Sequence, residues 1–309
     1  MIVVFGSVNL DLVARVERLP REGETIAGTS FAALPGGKGA NQALAARRAG
    51  ASVAMAGAVG ADGFAERALR ELVAAGVDLH AMRRVDVPTG VALIHVDAAG
   101  RNAITVVAGA NAHAAPPDVA DTALGPAATL VLQLEVPVDA VTSIAIRAKR
   151  SRTRVVLNAA PAQPLRGDLV AALDVLIVNE HEAAVVAAAH ALPAAPENFA
   201  GAFHRRCKCA VVVTLGAAGA IAAAEGAMFT VEAPKVRVID TVGAGDALVG
   251  ALAAALDRGA DWARALAEGV AAGSLACTLE GAQAALPDRA AIIALAETVA
   301  AGVRRGSLA

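Results

Sequence analysis

Val238-Ile-Asp-Thr-Val-Gly-Ala-Gly-Asp246 runs straight into an almost wholly apolar stretch, residues 247–256. The pattern predicts a strand that breaks at Asp240, a turn of small residues, and a carboxylate where a buried helix begins. Glycines at 243 and 245 let backbone N–H groups point into open space. The helix start adds unpaired N–H groups and the positive end of a dipole, so the turn can hold an anion. Asp246 sets a proton acceptor beside that anion, and the pair suits transfer of a phosphoryl group to a hydroxyl. Taken alone, the nine residues read equally well as a capped helix start, because Asp is a common N-cap.

Strand-to-helix junctions recur along the chain. Apolar runs at 2–6, 52–58, 129–134, 154–158, 175–178 and 210–214 predict strands, most of them continuously apolar as in a parallel sheet buried on both faces. Helices are expected at 39–49, 64–75, 138–150, 168–173, 180–190, 196–208 and 246–258. The C-terminal third continues as helices near 263–279 and 288–304. This alternation predicts an α/β fold, a doubly wound and mostly parallel sheet with helices on both faces. Segments 11–31 and 90–108 break the rhythm with short strand-like pieces and turn signals such as Asp97-Ala-Ala-Gly100. They are expected to form a small antiparallel β lid within a single domain spanning 1–309.

Composition narrows the function. Of 309 residues, 56% are hydrophobic and 18% charged, with a net charge of −2. That balance argues against nucleic acid as a partner, which would need a basic surface. Aromatics are 2% with no Tyr, so stacking platforms for bases are not expected either. Cys207, Cys209 and Cys277 have no metal-ligand spacing and read as thiols of a reducing compartment. Neither a signal-like N-terminus nor a membrane-length apolar run is evident, so a cytoplasmic protein without membrane association is expected.

Further polar clusters sit where strands end. Gly36-Gly-Lys-Gly-Ala-Asn-Gln42 holds one of only four lysines, against twenty-three arginines. It is not a Walker A loop, because Ala32 replaces the first Gly and Gly39 the Ser/Thr. Small residues there let a polyhydroxyl ligand approach the backbone, with Lys38 and Asn41 hydrogen bonding to it. A glycine turn with a solvated lysine is the equal alternative. In Gly6-Ser-Val-Asn-Leu-Asp11, Asn9 and Asp11 point to one face at the carboxyl end of a strand, where ligands collect in open sheets. Turn chemistry is the plainer reading of the same residues. Asn179 and Glu182 lie three apart on a starting helix and suit Mg²⁺, although a capping box explains the spacing better locally. Thr214-Leu-Gly-Ala-Ala-Gly219 ends another strand, either against a nucleotide or as a tight loop.

With these clusters in this order, together with Gln133-Leu-Glu135, the chain resembles the ribokinase (PfkB) family of ATP-dependent sugar kinases over nearly its whole length. By that resemblance Asp246 is the catalytic base and Gly243, Ala244 and Gly245 form its anion hole. Asn9, Asp11, Gly37, Lys38, Asn41 and Glu135 match sugar-binding positions. Asn179 and Glu182 match those that organise Mg²⁺ and phosphates, while Thr214, Gly216, Gly219 and Gly245 match positions near ATP. A monovalent cation, usually K⁺, would take the carboxylate of Asp240 and backbone carbonyls of Val242, Ala276, Leu279 and Gly281. Ala285 stands where these kinases commonly carry Ser, removing a hydroxyl ligand from that site. Val270 falls where Asn or His often lies near the adenine, and His95 sits on the lid where an apolar residue is usual. The resemblance implies a homodimer paired through the lid.

The expected reaction is transfer of the γ-phosphoryl group of ATP to the primary hydroxyl of a pentose, D-ribose first. Another kinase of the family, acting on deoxyribose, fructose or a nucleoside, would share Asp246 and the anion hole. A catalytically silent sugar sensor is the reading from a different class.

Overall fold

The computed structural model describes residues 1–308. The first half comprises β1 (Ile2–Phe5), β2 (Asn9–Val16), β3 (Gly28–Gly36), α1 (Lys38–Arg48), β4 (Val53–Gly60), α2 (Gly63–Ala74), β5 (Met82–Val85), β6 (Gly90–Val96), β7 (Asn102–Val107), β8 (Thr129–Leu132) and α3 (Val138–Arg150). There follow β9 (Arg154–Asn158), α4 (Gly167–Ala172), β10 (Val175–Asn179), α5 (Glu180–Ala189), α6 (Pro196–Cys207), β11 (Ala210–Thr214), β12 (Ala220–Ala224) and β13 (Ala227–Val231). The chain ends in α7 (Ala244–Asp257), α8 (Trp262–Ala276), α9 (Arg289–Ala301) and β14 (Arg304–Ser307).

Ten strands form one sheet in the order β14-β13-β12-β11-β10-β9-β8-β1-β4-β5. The ladders from β5 to β11 are parallel, and β12, β13 and β14 extend the sheet in antiparallel fashion. Strand alternation divides the core. Ile2 and Val4 of β1 pack into one apolar cluster with α1, α2, α7, α8 and α9. Val3 and Phe5 pack into the other with α3, α4, α5 and α6. Burial on both faces is why these strands read as unbroken apolar runs. Because β4 and β8 flank β1 on opposite sides, the winding reverses there, and ligands gather beyond the carboxyl ends of strands at such a point.

The lid is a four-stranded sheet, β3-β2-β6-β7. Its outer ladders, β2–β3 and β6–β7, are antiparallel, whereas the central β2–β6 ladder is parallel. Asp11 pairs with Leu34 and Ala92 and lies on one face of the sheet. His95, three residues beyond Ala92, falls on the opposite face.

Two expectations for the C-terminal third need correction, and one hairpin there had no counterpart among the expected elements. No strand runs into Asp240; instead the chain there is pinned by Ile239 N–H to Cys277 C=O at 2.8 Å. The hairpin β12–β13 was not anticipated, because Ala220-Ile-Ala-Ala-Ala224 reads as helix by propensity. Its turn, Glu225-Gly226, has positive φ at both positions (51° and 73°), the geometry of a two-residue hairpin. The last helix stops at Ala301, and Arg304 begins an edge strand. Among the described residues no helix is long and apolar enough to cross a membrane.

Helices α1 and α7 cross very closely, and Gly250 is where they do so. A Cβ at 250 would lie 2.5 Å from Ala45 Cβ and 2.8 Å from the Gln42 carbonyl. Asp246 sits one turn earlier on the same face of α7, so the close crossing brings its carboxylate to α1. Gly250→Ala should therefore lower unfolding stability by about 1–3 kcal/mol in urea titrations, from overpacking. A gain of about 1 kcal/mol, which helix propensity alone would give, would refute the tight crossing.

Candidate active site

The Asp246 carboxylate does not cap its helix. Gly243 is the N-cap residue, with φ of 77°, and α7 begins two residues before Asp246. The carboxylate turns toward α1, where Oδ2 accepts from Asn41 Nδ2 and Oδ1 from Gln42 Nε2, both at 2.9 Å. Asp246 is 7% exposed. Burial pushes its carboxyl above the ordinary value; the Lys38 ammonium and the two amides oppose the rise, and Glu135 adds to it. Of the turn amides, Ala244 N–H points at Thr241 C=O at 3.3 Å, so part of that donor is used within the turn. The amides of Gly245 and Asp246, in the first helical turn, have no intrahelical partner by construction.

A cavity of about 210 Å³ collects four of the sequence clusters: Lys38, Asn179 with Glu182, Thr214, and Gly243 with Gly245 and Asp246. Lys38 opens α1. Burial lowers the affinity of its amine for a proton, but the carboxylates of Asp246, Glu135 and Glu182 outweigh that and hold its pKa above normal. A larger cavity, about 540 Å³, lies at the amino-terminal ends of the central strands β8 and β9, around Thr129 and Arg154, away from these clusters.

The residues proposed for a sugar are held by neighbours that the sequence reading did not single out. Ser7 Oγ donates to Glu135 Oε2 at 2.6 Å, and the Lys38 amide donates to the same oxygen at 3.0 Å. Buried Asn111 donates Nδ2 to Asn9 Oδ1 at 2.7 Å, which uses the Asn9 side-chain oxygen and not its amino group. Gly37, with φ of 90°, caps α1 beside Asn9. Gln133 and Gln283 stand behind Gln42 and Asn41. Buried polar side chains in Ala-rich or apolar runs were the available signal, and Gln42 among Ala40–Ala46 is the clearest case.

Of the residues expected near a nucleotide, Asn179 and Thr214 are in register at the ends of β10 and β11. Asn179 Oδ1 accepts from Glu182 N–H and Glu182 Oε2 from Asn179 N–H, both at 2.8 Å, so the capping box is real. Burial raises the Glu182 carboxyl above its ordinary value, against the pull of the Asn179 amide and Lys38. Gly216 is exposed at the start of a short turn, whereas Gly219 is accounted for by the fold: a Cβ there would lie 2.0 Å from Val231 C=O. Asp240 joins two loops, accepting from Val242 N–H at 3.0 Å and Gly281 N–H at 2.9 Å. Ala276 ends α8 and is buried, Leu279 is exposed, and Ala285 is buried without a side-chain oxygen to offer. Val270 is buried in the core on α8.

Asp11 titrates far from its usual range. Burial, then the carboxylates of Glu135 and Asp246, push it from 3.8 to about 7. The folded chain therefore binds this proton more tightly than the unfolded chain, and stability falls as pH rises from about 4 to about 7. Asp11→Asn removes that penalty. Its Tm should exceed the wild-type Tm at pH 8, with the gap closing as pH falls toward 4; equal Tm loss at pH 5 and pH 8 would contradict this.

Residues 1–289 match the pfkB family carbohydrate kinases. The ribokinase of Haemophilus influenzae is 34% identical over 292 residues, 93% of this chain and 95% of its own. The ribokinase of Thermotoga maritima superposes with a TM-score of 0.88 at 30% identity, covering 96% of this chain and 99% of its own. That of Arabidopsis thaliana, solved with ribose and ATP, gives 0.86 at 31% identity, covering 96% and 98%. The chain belongs to the pfkB family of carbohydrate kinases.

Proposed function

We propose that this chain is an ATP-dependent pentose kinase that converts D-ribose to ribose 5-phosphate, with Asp246 as general base. One observation carries the reading: a buried carboxylate in the first turn of α7 ignores the helix cap and faces the cavity that also holds Lys38 and the Gly243–Gly245 turn. The primary hydroxyl of the sugar loses its proton to Asp246 as its oxygen bonds to the γ-phosphorus, and the bond from that phosphorus to the β-bridging oxygen of ATP breaks. ADP leaves with the bond electrons. First-turn amides of α7 stabilise the charge on the transferring oxygens. Asn9, Asp11, Gly37, Lys38, Asn41 and Glu135 orient the sugar. Asn179, Thr214 and Gly216 face the nucleotide in this reading.

Two ions enter this reading. For Mg²⁺, Asn179 Oδ1 and Glu182 Oε2 are committed to the capping box. The second oxygen of Glu182, directly or through water, is then the protein's contribution to an ion held mostly by phosphates and water. When bound, it neutralises phosphate charge. For K⁺, Asp240 with the carbonyls of Val242, Ala276, Leu279 and Gly281 makes an oxygen-only set that fits, short of the hydroxyl missing at Ala285. When bound, it supplies positive charge near the anion hole.

A homodimer through the lid is supported by its exposed apolar side chains: Phe31 (68%), Ile104 (53%), Val106 (55%) and Val107 (49%). Sedimentation should give twice the chain mass for the wild type and a single chain mass for Ile104→Glu. A wild-type monomer at micromolar concentration would refute the pairing.

Asp246→Asn should lower kcat by about 10²–10⁴-fold while KM for ribose changes little. The same coupled assay over ribose, deoxyribose, fructose and nucleosides should give the highest kcat/KM with ribose. Near-normal turnover by Asp246→Asn would remove the base assignment, and preference for a nucleoside would remove the sugar assignment.

A further inference from the structure

Three of the four glutamines in the chain, Gln42, Gln133 and Gln283, converge on Asp246. Each is fully or almost fully buried. Gln133 Nε2 donates to Gln42 Oε1 at 2.7 Å, and Gln42 Nε2 donates to Asp246 Oδ1. On the other side, Gln283 Nε2 donates to Asn41 Oδ1 at 3.1 Å, and Asn41 Nδ2 donates to Asp246 Oδ2. Gln42 Nε2 also donates to Asn158 Oδ1 at 3.0 Å, so its amide is saturated.

The direction of these bonds is not free. An ionised carboxylate only accepts, so Asn41 and Gln42 must present their amino groups to it. Their carbonyl oxygens then face outward, and Gln283 and Gln133 must present amino groups in turn. The far ends confirm that the arrangement is imposed: Gln133 Oε1 and Gln283 Oε1 are buried with no hydrogen-bond partner. Such orphan oxygens are costly, and flipping either amide would set oxygen against oxygen one step closer to Asp246. Two unsatisfied oxygens are thus the consequence of keeping a charged acceptor at the centre.

We propose that Gln42 and Gln133 on one side, and Gln283 behind Asn41 on the other, are positioning residues that hold the Asp246 carboxylate charged and aimed at the sugar hydroxyl. The inference rests on Asp246 being the base. Each amide dipole points its positive end toward Asp246, and fixing both oxygens prevents rotation of the carboxylate. The other charged groups facing it are Lys38 at the start of α1, Glu135 after β8, Glu182 on α5 and Asp11 on β2; of these only Lys38 favours its charge. The amides add a second source of stabilisation that does not compete for the phosphoryl group.

The test is the pH profile of kcat at saturating ribose and ATP, for the wild type and for Gln42→Met, Gln133→Met and Asp246→Asn. Methionine keeps the size of the side chain and removes the donor. Gln42→Met should move the acid limb up by about one pH unit, so that activity lost on the acid side is regained as pH rises. Gln133→Met, which does not touch Asp246, should move it in the same direction by less, with KM for ATP unchanged in both. If Gln42→Met does not fold, the Gln133→Met limb carries the test. Folded variants that lose activity equally at every pH, or not at all, would overturn the inference. An active Asp246→Asn would overturn the base assignment itself, whatever the glutamines do.

Discussion

The hydrogen bonds from Asn41 and Gln42 to Asp246 are the constraint on which the site depends. A carboxylate buried in an apolar helix is costly unless it is fully bonded. Here the compensation comes from a different helix, α1, whose first turn also carries Lys38. The bond therefore ties the two helices, and Gly250 sets how near they come. The first turn of α7, whose amides are the proposed anion hole, is positioned by the same crossing. The Asp246 carboxylate, the Lys38 ammonium and the start of α7 share one cavity because one helix pair places all three.

The remaining groups reach that cavity through the winding of the sheet. Asn9 and Asp11 follow β1, and Glu135 follows β8, the pair at which the winding reverses. Asn179 and Thr214 follow neighbouring strands β10 and β11 in register. Several of these polar groups do two jobs. The Asn179–Glu182 capping box shapes the start of α5 and leaves one carboxylate oxygen uncommitted to it. Asp240 staples the loop before α7 to the loop after α8, so the segment leading into the anion turn is held by the proposed cation ligand itself.

Much of this was legible in the sequence, for identifiable reasons. Strands buried on both faces leave continuous apolar runs, so β1, β9 and β11 stand out. Polar clusters at their ends, such as Asn9 with Asp11, mark the functional edge. What stayed hidden was set by tertiary contact. Ala220-Ile-Ala-Ala-Ala224 became a strand against its helical propensity because it pairs with β11 and β13. Whether Asp246 caps α7 or faces a ligand could not be read locally, since both uses want a carboxylate near a helix start. The supporting roles of Gln133 and Gln283 depend on contacts with residues 91 and 242 positions away. No local pattern encodes such distances.

A crystal structure with ribose and a non-hydrolysable ATP analogue tests the central claim most directly. The primary hydroxyl oxygen of the sugar should lie about 2.6–3.2 Å from an Asp246 carboxylate oxygen, with the γ-phosphate facing the first-turn amides of α7. A ribose whose primary hydroxyl points away from Asp246, toward the lid or solvent, would contradict the account.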